Sequence, residues 1–396
     1  MLVLGKTAVS IVATYKAVKN GYQVAVMAPT AILAKQHLEN FNKILEKFDI
    51  NSQILISGMS KKQKEKVLEN LKNGKIDVII GTHALLEESV EFCNLGLVVT
   101  DEQHRFGVRQ REILNTKGKN PDVLVMSATP IPRTLALILY GDLDISIINE
   151  LPPGRQKIDT FAVTTGMEGR VNQFIEKQIL EGRQCYIVCP LVEETEEIDA
   201  KAVIELADKY KNEIFKNYRV EYIYGKMKPK EKDEIMTKFK NGEIDILIST
   251  TVIEVGVDVP NANIMVIENA ERFGLATLHQ LRGRVGRGNF KSYCILKYKG
   301  KSELTKQRMD IMVKTNDGFV ISEKDLELRG SGEFFGTRQH GLPELKIANL
   351  FSDMELLKRV QSVAVAIMED DPELKKTENS VLKNMVDKKF SKRIEI

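Results

Sequence analysis

Short β-branched runs alternate with longer amphipathic stretches along most of this chain. Between the first runs, residues 31–48 and 61–73 carry apolar side chains at helical spacing. Strands that alternate with helices predict a parallel sheet flanked by helices, because parallel neighbours need a crossover connection. The predicted strands of this first part are residues 23–28, 53–56, 77–80, 97–100, 123–126 and 145–148.

Residues 151–155, Leu-Pro-Pro-Gly-Arg, interrupt the pattern and predict a linker. The same rhythm then resumes, with helices over residues 168–180 and 230–240. The sequence therefore predicts an α/β fold with two lobes in tandem, at residues 1–152 and 153–300. Residues 301–396 are more helical and more charged. The predicted strands of the second lobe are residues 158–163, 186–188, 220–224, 244–248, 264–267 and 292–296.

Composition restricts the class of protein but not its function. With 396 residues, 43% hydrophobic and 29% charged, the chain fits a globular protein of two or three domains. It has no apolar run near the roughly 20 residues that cross a bilayer, and residues 1–4 are too short for a signal peptide. The four scattered cysteines predict buried reduced thiols, rather than a zinc site, in a cytoplasmic protein. A net charge of +3 leaves nucleic-acid binding open.

Gly5-Lys6-Thr7 precedes a predicted helix over residues 8–17 and matches the end of a phosphate-binding loop. In such a loop backbone N–H groups wrap the phosphates, the lysine reaches the β and γ oxygens, and the hydroxyl holds Mg²⁺. Only residues 1–4 precede Gly5, so most of the wrap is missing. By itself this tripeptide is common, and we expect ATP hydrolysis by the chain alone to be at or near background.

Asp101 and Glu102 directly follow a predicted apolar strand. The carboxyl end of a parallel strand is where an α/β sheet binds its ligands. One carboxylate can hold Mg²⁺ there while the other orients water for attack on a γ-phosphate. The alternative is an acidic turn that caps the strand.

Ser127, Ala128 and Thr129 end the next strand, where they fit a helix N-cap or a relay between the lobes.

Residues 279–288 carry three arginines within six residues, interspersed with glycines. Arg284 and Arg287 are three positions apart, so a helical turn would place both on one side. Such a pair can stabilise the charge that develops on a γ-phosphate held by the other lobe. The alternative is a solvated basic turn or a contact to a phosphate backbone.

In the order of these motifs the sequence resembles superfamily 2 helicases and, within them, the RecG family of bacterial ATP-dependent DNA helicases. The resemblance spans nearly the whole chain and implies two RecA-like lobes. The matching segments are Gly5-Lys6-Thr7, Ala28-Pro29-Thr30, Gly81-Thr82-His83, Asp101-Glu102-Gln103-His104, Ser127-Ala128-Thr129-Pro130, and residues 248–260 and 279–288.

The resemblance also implies a role for each matching residue, with ATP and Mg²⁺ as cofactors between the lobes. Lys6 and Gly5 would hold phosphates, Thr7 and Asp101 the Mg²⁺, and Glu102 the attacking water. Arg284 and Arg287 would reach across from the second lobe, and Gln280 would position the nucleotide. Gly256 and Asp258 would line the nucleotide site, and the DNA-facing positions would be Pro29, Thr30, Thr82, His83, Thr250 and Thr251.

Beyond the lobes, the matching positions Arg308, Arg329 and Gln339 resemble a translocation hairpin that couples ATP hydrolysis to movement. Asn316-Asp317-Gly318 is a plausible turn between the two arginines. The transcription-repair coupling factor shares this hairpin, but residues 103–104, 151–155 and 224–228 favour the RecG family. A charged helical pair without any motor function is the alternative.

The resemblance implies a monomer that remodels branched or forked duplex DNA, with no membrane partner. The amino-terminal wedge domain of that family and the first part of its phosphate-binding loop have no counterpart here, so we expect a truncated member. Two alternatives stay open, a catalytically inactive DNA-binding fragment and a translocase of the coupling-factor type.

Overall fold

The computed structural model describes residues 3–102, 114, 116–127, 143–148, 156–190, 196–250, 259–288, 290–300, 302–333 and 354–390. The chain divides into two compact units, Met1–Pro132 with Ile145–Asp325, and Arg133–Asp144 with Leu326–Ile396. The first unit contains both sheets.

The first sheet is wholly parallel and has the strand order β2-β3-β1-β4-β5. The connection after β1 leads to one edge of the sheet and the connection after β4 leads to the other, so the carboxyl ends of β1 and β4 lie side by side at the point of reversal. Such an edge is where open α/β sheets bind ligands. The strands are β1 (Gln23–Met27), β2 (Ser52–Leu55), β3 (Val78–Gly81), β4 (Leu95–Asp101) and β5 (Asp122–Met126).

Three helices accompany this sheet: α1 (Val3–Lys19), α2 (Ala31–Leu45) and α3 (Lys61–Lys72). Thr30 is the N-cap of α2, and its hydroxyl accepts a hydrogen bond from the Leu33 N–H at 3.4 Å. Its buried side chains, Ala34, His37, Phe41 and Leu45, recur at helical spacing and face the core.

The second sheet is also parallel, in the order β6-β11-β10-β7-β9-β8. Every residue of its central strand β10 is buried, as expected where helices cover both faces. The strands are β6 (Ile158–Thr164), β7 (Gln184–Val188), β8 (Val220–Ile223), β9 (Ile246–Ser249), β10 (Ala262–Ile267) and β11 (Ser292–Tyr298); the helices are α4 (Glu168–Leu180), α5 (Glu196–Lys209), α6 (Pro229–Lys240) and α7 (Leu275–Arg282).

The two lobes repeat one structural device at a helix-to-strand turn. Residues 72–77 and 240–245 share the pattern Lys-Asn-Gly-x-Ile-Asp, and both glycines, Gly74 and Gly242, have positive φ (68° and 78°). A buried glutamine at the start of a neighbouring strand donates to two carbonyls of each turn: Gln23 to Leu71 and Ile76, and Gln184 to Phe239 and Ile244. The order β2-β3-β1-β4-β5 recurs in the second sheet as β8-β9-β7-β10-β11, with β6 added at the edge, so the two lobes share one architecture, as the sequence predicts.

Beyond the lobes, α8 (Glu303–Lys314) and α9 (Gly318–Glu333) flank the turn predicted at residues 316–318. The carboxylate of Asp317 accepts a hydrogen bond from the Phe319 N–H at 2.8 Å and so caps α9. Two further helices follow, α10 (Met354–Asp370) and α11 (Ser380–Phe390). Helical elements after the second sheet are confirmed.

Two sequence expectations about local structure are wrong. Residues 145–148 form no strand, and all are at least partly exposed; Ile148 instead packs beside Gly5. Helix α1 begins at Val3, before the Gly-Lys-Thr tripeptide, so Lys6 and Thr7 lie on the helix rather than ahead of it. In the part of the chain that the structure describes, no helix combines the length and the hydropathy needed to traverse a lipid bilayer.

Candidate functional site

The candidate site lies where the carboxyl ends of β1 and β4 meet, since Met27 of β1 pairs with Thr100 of β4. Asp101 is the last residue of β4, and Glu102 follows it. Lys6, on the first turns of α1, places its Nζ 3.6 Å from Asp101 Oδ1 and 3.8 Å from Glu102 Oε1. The structure thus brings Lys6 within 4 Å of both carboxylates.

The ammonium of Lys6 has two ion-pair partners but no hydrogen bond. It is buried, the carboxylates of Asp101 and Glu102 are 3.6 and 3.8 Å away, and among the described residues it has no hydrogen-bond partner. A buried cation whose hydrogen-bond donors are unused costs free energy, and lysine is a common ligand of phosphate oxygens. Lys6 is therefore suited to binding a phosphate group.

The carboxylate of Asp101 is 7% exposed and is held from two sides. Its Oδ1 accepts from the Glu102 N–H at 3.0 Å, and its Oδ2 lies 3.0 Å from His37 Nε2. Burial disfavours the charged form, but the His37 hydrogen bond and the Lys6 charge outweigh it and keep the pKa of Asp101 below its usual value. Asp101 is thus available as an ionised metal ligand.

Glu102 has a left-handed backbone, with φ at 52°. For a residue other than glycine this conformation costs about 1–3 kcal/mol and is concentrated at functional sites. The bend places the Glu102 carboxylate beside Lys6, next to that of Asp101. The strained backbone of Glu102 is therefore consistent with a carboxylate that orients water.

The two carboxylates fit magnesium. Asp101 and Glu102 offer hard oxygen ligands, and Mg²⁺ in phosphoryl-transfer sites is bound by one or two carboxylates together with substrate phosphates. Thr7, the other predicted ligand, follows Lys6 on α1 and is 6% exposed. No cluster of three or more metal-ligating side chains occurs among the residues the structure covers. Such a cluster is not needed where phosphates complete the coordination.

In the second lobe, α7 ends at Arg282, and Gly286 has φ at 76°. The helical turn expected over Arg284 and Arg287 is therefore wrong, because a left-handed glycine lies between them. Both arginines are half-buried, and Arg287 Nε donates to the Gly283 carbonyl at 3.4 Å. Gln280 lies on α7, one turn before them.

Sequence reasoning missed Arg282, which is 1% exposed. Its Nη1 donates to the carbonyls of Met312 at 2.7 Å and Thr315 at 2.9 Å, at the end of α8. Burial lowers the pKa of this guanidinium. The sequence analysis assigned two of the three clustered arginines, Arg284 and Arg287, to a phosphate. The third, Arg282, instead caps the carboxyl end of α8.

Arg308 makes the reciprocal contact from α8. Its guanidinium donates to the carbonyls of Glu271 and Phe273, immediately before α7. Arg282 and Arg308 thus connect α7, and the segment that leads into it, to α8. The turn that carries Arg284 and Arg287 directly follows α7.

The predicted DNA-facing residues differ in exposure. His83 is exposed and Pro29 and Thr30 are half-buried, whereas Thr82 and Thr250 are only 4% and 1% exposed. Among the described residues neither threonine hydroxyl has a hydrogen-bond partner. Both lie just after a strand, β3 or β9, at equivalent positions in the two lobes.

Three other predicted residues lie in the described part of the chain. Ser127 directly follows β5 and Gly5 lies on α1, whereas for Arg329 only its position on α9 is described. The residues outside are Gly256, Asp258, Thr251, Ala128, Thr129 and Gln339.

Three family models match consecutive parts of the chain. The DEAD/DEAH box helicase model covers residues 4–138 and the helicase conserved C-terminal domain covers residues 169–289. Residues 315–395 match domain 3, C-terminal, of the ATP-dependent DNA helicase RecG. The order of the matches follows the two lobes and the helical region.

Curated relatives agree with these models. The chain is 49% identical over 380 residues to the ATP-dependent DNA helicase RecG of Bacillus subtilis, covering 96% of this chain and 56% of the relative. It is 48% identical over 375 residues to that of Thermotoga maritima, covering 94% and 48%. The chain thus spans about half the length of these relatives.

A solved structure, RecG bound to a three-way DNA junction, superposes with a TM-score of 0.72 at 46% identity, over 89% of this chain and 46% of that one. Fold, motif order and relatives agree, and the chain belongs to the RecG family of superfamily 2 ATP-dependent DNA helicases.

Proposed function

We propose that this chain carries the motor of an ATP-dependent translocase on double-stranded DNA that remodels forks and other branched DNA. The observation that carries the proposal is the cluster of Lys6, Asp101 and Glu102 at the reversal point of the first sheet. A buried ammonium without a hydrogen bond is suited to phosphate oxygens, an ionised buried carboxylate to Mg²⁺ and the neighbouring carboxylate to an attacking water, and phosphoryl-transfer sites use all three.

The roles are those that the family resemblance implies, and the contacts of Lys6, Asp101 and Glu102 support them. Lys6 holds the phosphates, Asp101 and Thr7 would hold Mg²⁺, and Glu102 orients and deprotonates the attacking water. When bound, Mg²⁺ supplies positive charge that offsets the charge developing on the phosphoryl oxygens. From the second lobe, Arg284 and Arg287 stabilise the same charge, with Gln280 beside them.

We assign residues 1–152 and 153–300 to the two motor lobes, and residues 301–396 to the hairpin and tail. Support for coupling comes from Arg308, which bonds the segment leading into α7. Pro29, Thr30 and His83 are the accessible candidates for DNA contact, and the hydroxyls of Thr82 and Thr250 would need to become exposed first.

The test is ATP hydrolysis with and without forked DNA, in this chain and in the chain joined to the amino-terminal portion of the Bacillus subtilis relative. Glu102→Gln should lower turnover by roughly 10²–10⁴-fold while ATP binding persists, because the variant loses the base but keeps its shape. Lys6→Ala should weaken ATP binding itself.

Two results would count against the proposal. One is unchanged turnover in Glu102→Gln. The other is a parent protein whose hydrolysis is insensitive to DNA and which does not displace strands from a fork. A protein that binds forked DNA but neither hydrolyses ATP nor displaces strands would favour the inactive DNA-binding fragment.

A further inference from the structure

His37 makes a contact that none of the motif residues explains. It lies on the buried face of α2, 3% exposed, and its Nε2 is 3.0 Å from Asp101 Oδ2, across 64 residues of sequence. An ionised carboxylate only accepts hydrogen bonds, so the proton of His37 resides on Nε2. The ring is packed edge-on against Phe41, with centroids 6.3 Å apart.

Packing alone gives no reason for a histidine at this position. Its other ring nitrogen, Nδ1, is buried and has no hydrogen-bond partner among the described residues. A buried polar atom without a partner costs free energy that an apolar side chain would avoid. The gain that offsets this cost is the hydrogen bond to Asp101.

We propose that His37 is a positioning residue that fixes the carboxylate of Asp101 for Mg²⁺ and connects it, through α2, to the DNA-facing segment Pro29-Thr30. The inference rests on the proposed function. His37 constrains Oδ2 while the Glu102 N–H constrains Oδ1, so the carboxylate is oriented by two donors.

Helix α2 provides the connection. Thr30 caps its first turn and His37 lies two turns further on, about 10 Å along a helix that rises 1.5 Å per residue. A displacement of the cap by DNA would move His37 with the helix and change the orientation of the metal ligand. DNA binding and metal binding would then share a coupling free energy, equal in both directions.

The first experiment measures Mn²⁺ binding to the 396-residue chain without nucleotide, by paramagnetic resonance. His37→Gln places an amide nitrogen about where Nε2 lies, and His37→Asn places it nearer Nδ1. Loss of a partner that orients a metal ligand weakens metal affinity by roughly 10–100-fold. We expect that loss in His37→Asn and near-parent affinity in His37→Gln.

The controls separate this role from folding. Glu39→Ala changes an exposed residue of α2 and should bind Mn²⁺ as the parent does, whereas Asp101→Asn should not bind. If His37→Asn unfolds on heating at a lower temperature than the parent, His37→Leu takes its place in the comparison, because leucine keeps the apolar packing. Equal Mn²⁺ affinity in parent and His37→Leu, or no Mn²⁺ binding by the parent, overturns the proposal.

The second experiment repeats the titrations with a forked DNA duplex present. We expect DNA to change Mn²⁺ affinity in the parent and in His37→Gln but not in His37→Leu. The same DNA effect in all three proteins overturns the connection through α2. A parent that binds Mn²⁺ but no DNA instead contradicts the proposed function, and leaves the DNA-free comparison to decide the role of His37.

Discussion

Replacing Arg282 with methionine tests whether a buried arginine joins the second lobe to the hairpin. The guanidinium donates to two carbonyls at the end of α8, at 2.7 and 2.9 Å, and to the Thr160 hydroxyl at 3.3 Å. The last carbonyls of a helix have no partner within it, so these bonds come from outside the helix. Methionine fills much of the space but donates nothing.

The magnitude follows from three contributions. Each buried carbonyl left without a donor costs about 1–3 kcal/mol. The attraction between a cation and a helix carboxyl end, up to about 2 kcal/mol, is also lost. Removing a buried charge returns several kcal/mol of desolvation energy, so we expect a net loss of about 3 kcal/mol.

The assay is native-state hydrogen exchange of the α8 amides, which reports local opening. A loss of about 3 kcal/mol corresponds to roughly 150-fold faster exchange. Thr160→Val removes only the longest of these contacts and should cost less than about 1 kcal/mol. If Arg282→Met exchanges no faster than Thr160→Val, desolvation cancels the hydrogen bonds and Arg282 does not hold α8.

Three further predictions concern turnover, coupling and pH. In a protein with a complete phosphate-binding loop, Arg287→Ala should lower ATP turnover by roughly 10³-fold with DNA affinity unchanged; a fall in DNA affinity at constant turnover would show a backbone contact instead. Gln339→Ala or Arg329→Ala should keep DNA-stimulated ATP hydrolysis while fork unwinding collapses, both measured on one substrate, whereas proportional loss of both would indicate simple destabilisation. Partial burial raises the pKa of Asp245, but the hydrogen bonds from Arg219 outweigh this and lower it from 3.8. The stability that Asp245 adds over Asp245→Asn should therefore be present above about pH 4 and be lost as pH falls through the lowered pKa. Denaturation midpoints of the two proteins that differ equally at pH 2 and pH 7 would contradict this.

Local pattern was sufficient to predict most elements of this chain. Residues 168–180 were predicted as a helix with the bounds that α4 has, and the turn at residues 316–318 separates α8 from α9. Each of these signals lies within a window of a few residues, where apolar period and capping side chains decide the backbone. The position of Asp101 and Glu102 at a strand end was predicted for the same reason.

Burial and long-range partners depended on the tertiary structure. Residues 145–148 have the composition of a strand, yet they pair with no neighbouring strand. A short apolar run can also bury its side chains by packing against other elements, as Ile148 does beside Gly5. The left-handed Gly286 changes the relation between Arg284 and Arg287 that their spacing suggested.

His37 and Arg282 show the same limit at the site. In sequence, His37 is one polar residue on an apolar helix face and Arg282 one of three arginines. Their partners lie 64 and 30 residues away, Asp101 and Met312. Only the packing of α2 on the first sheet, and of α7 beside α8, brings donor and acceptor within hydrogen-bond distance, because no local periodicity records which elements become neighbours.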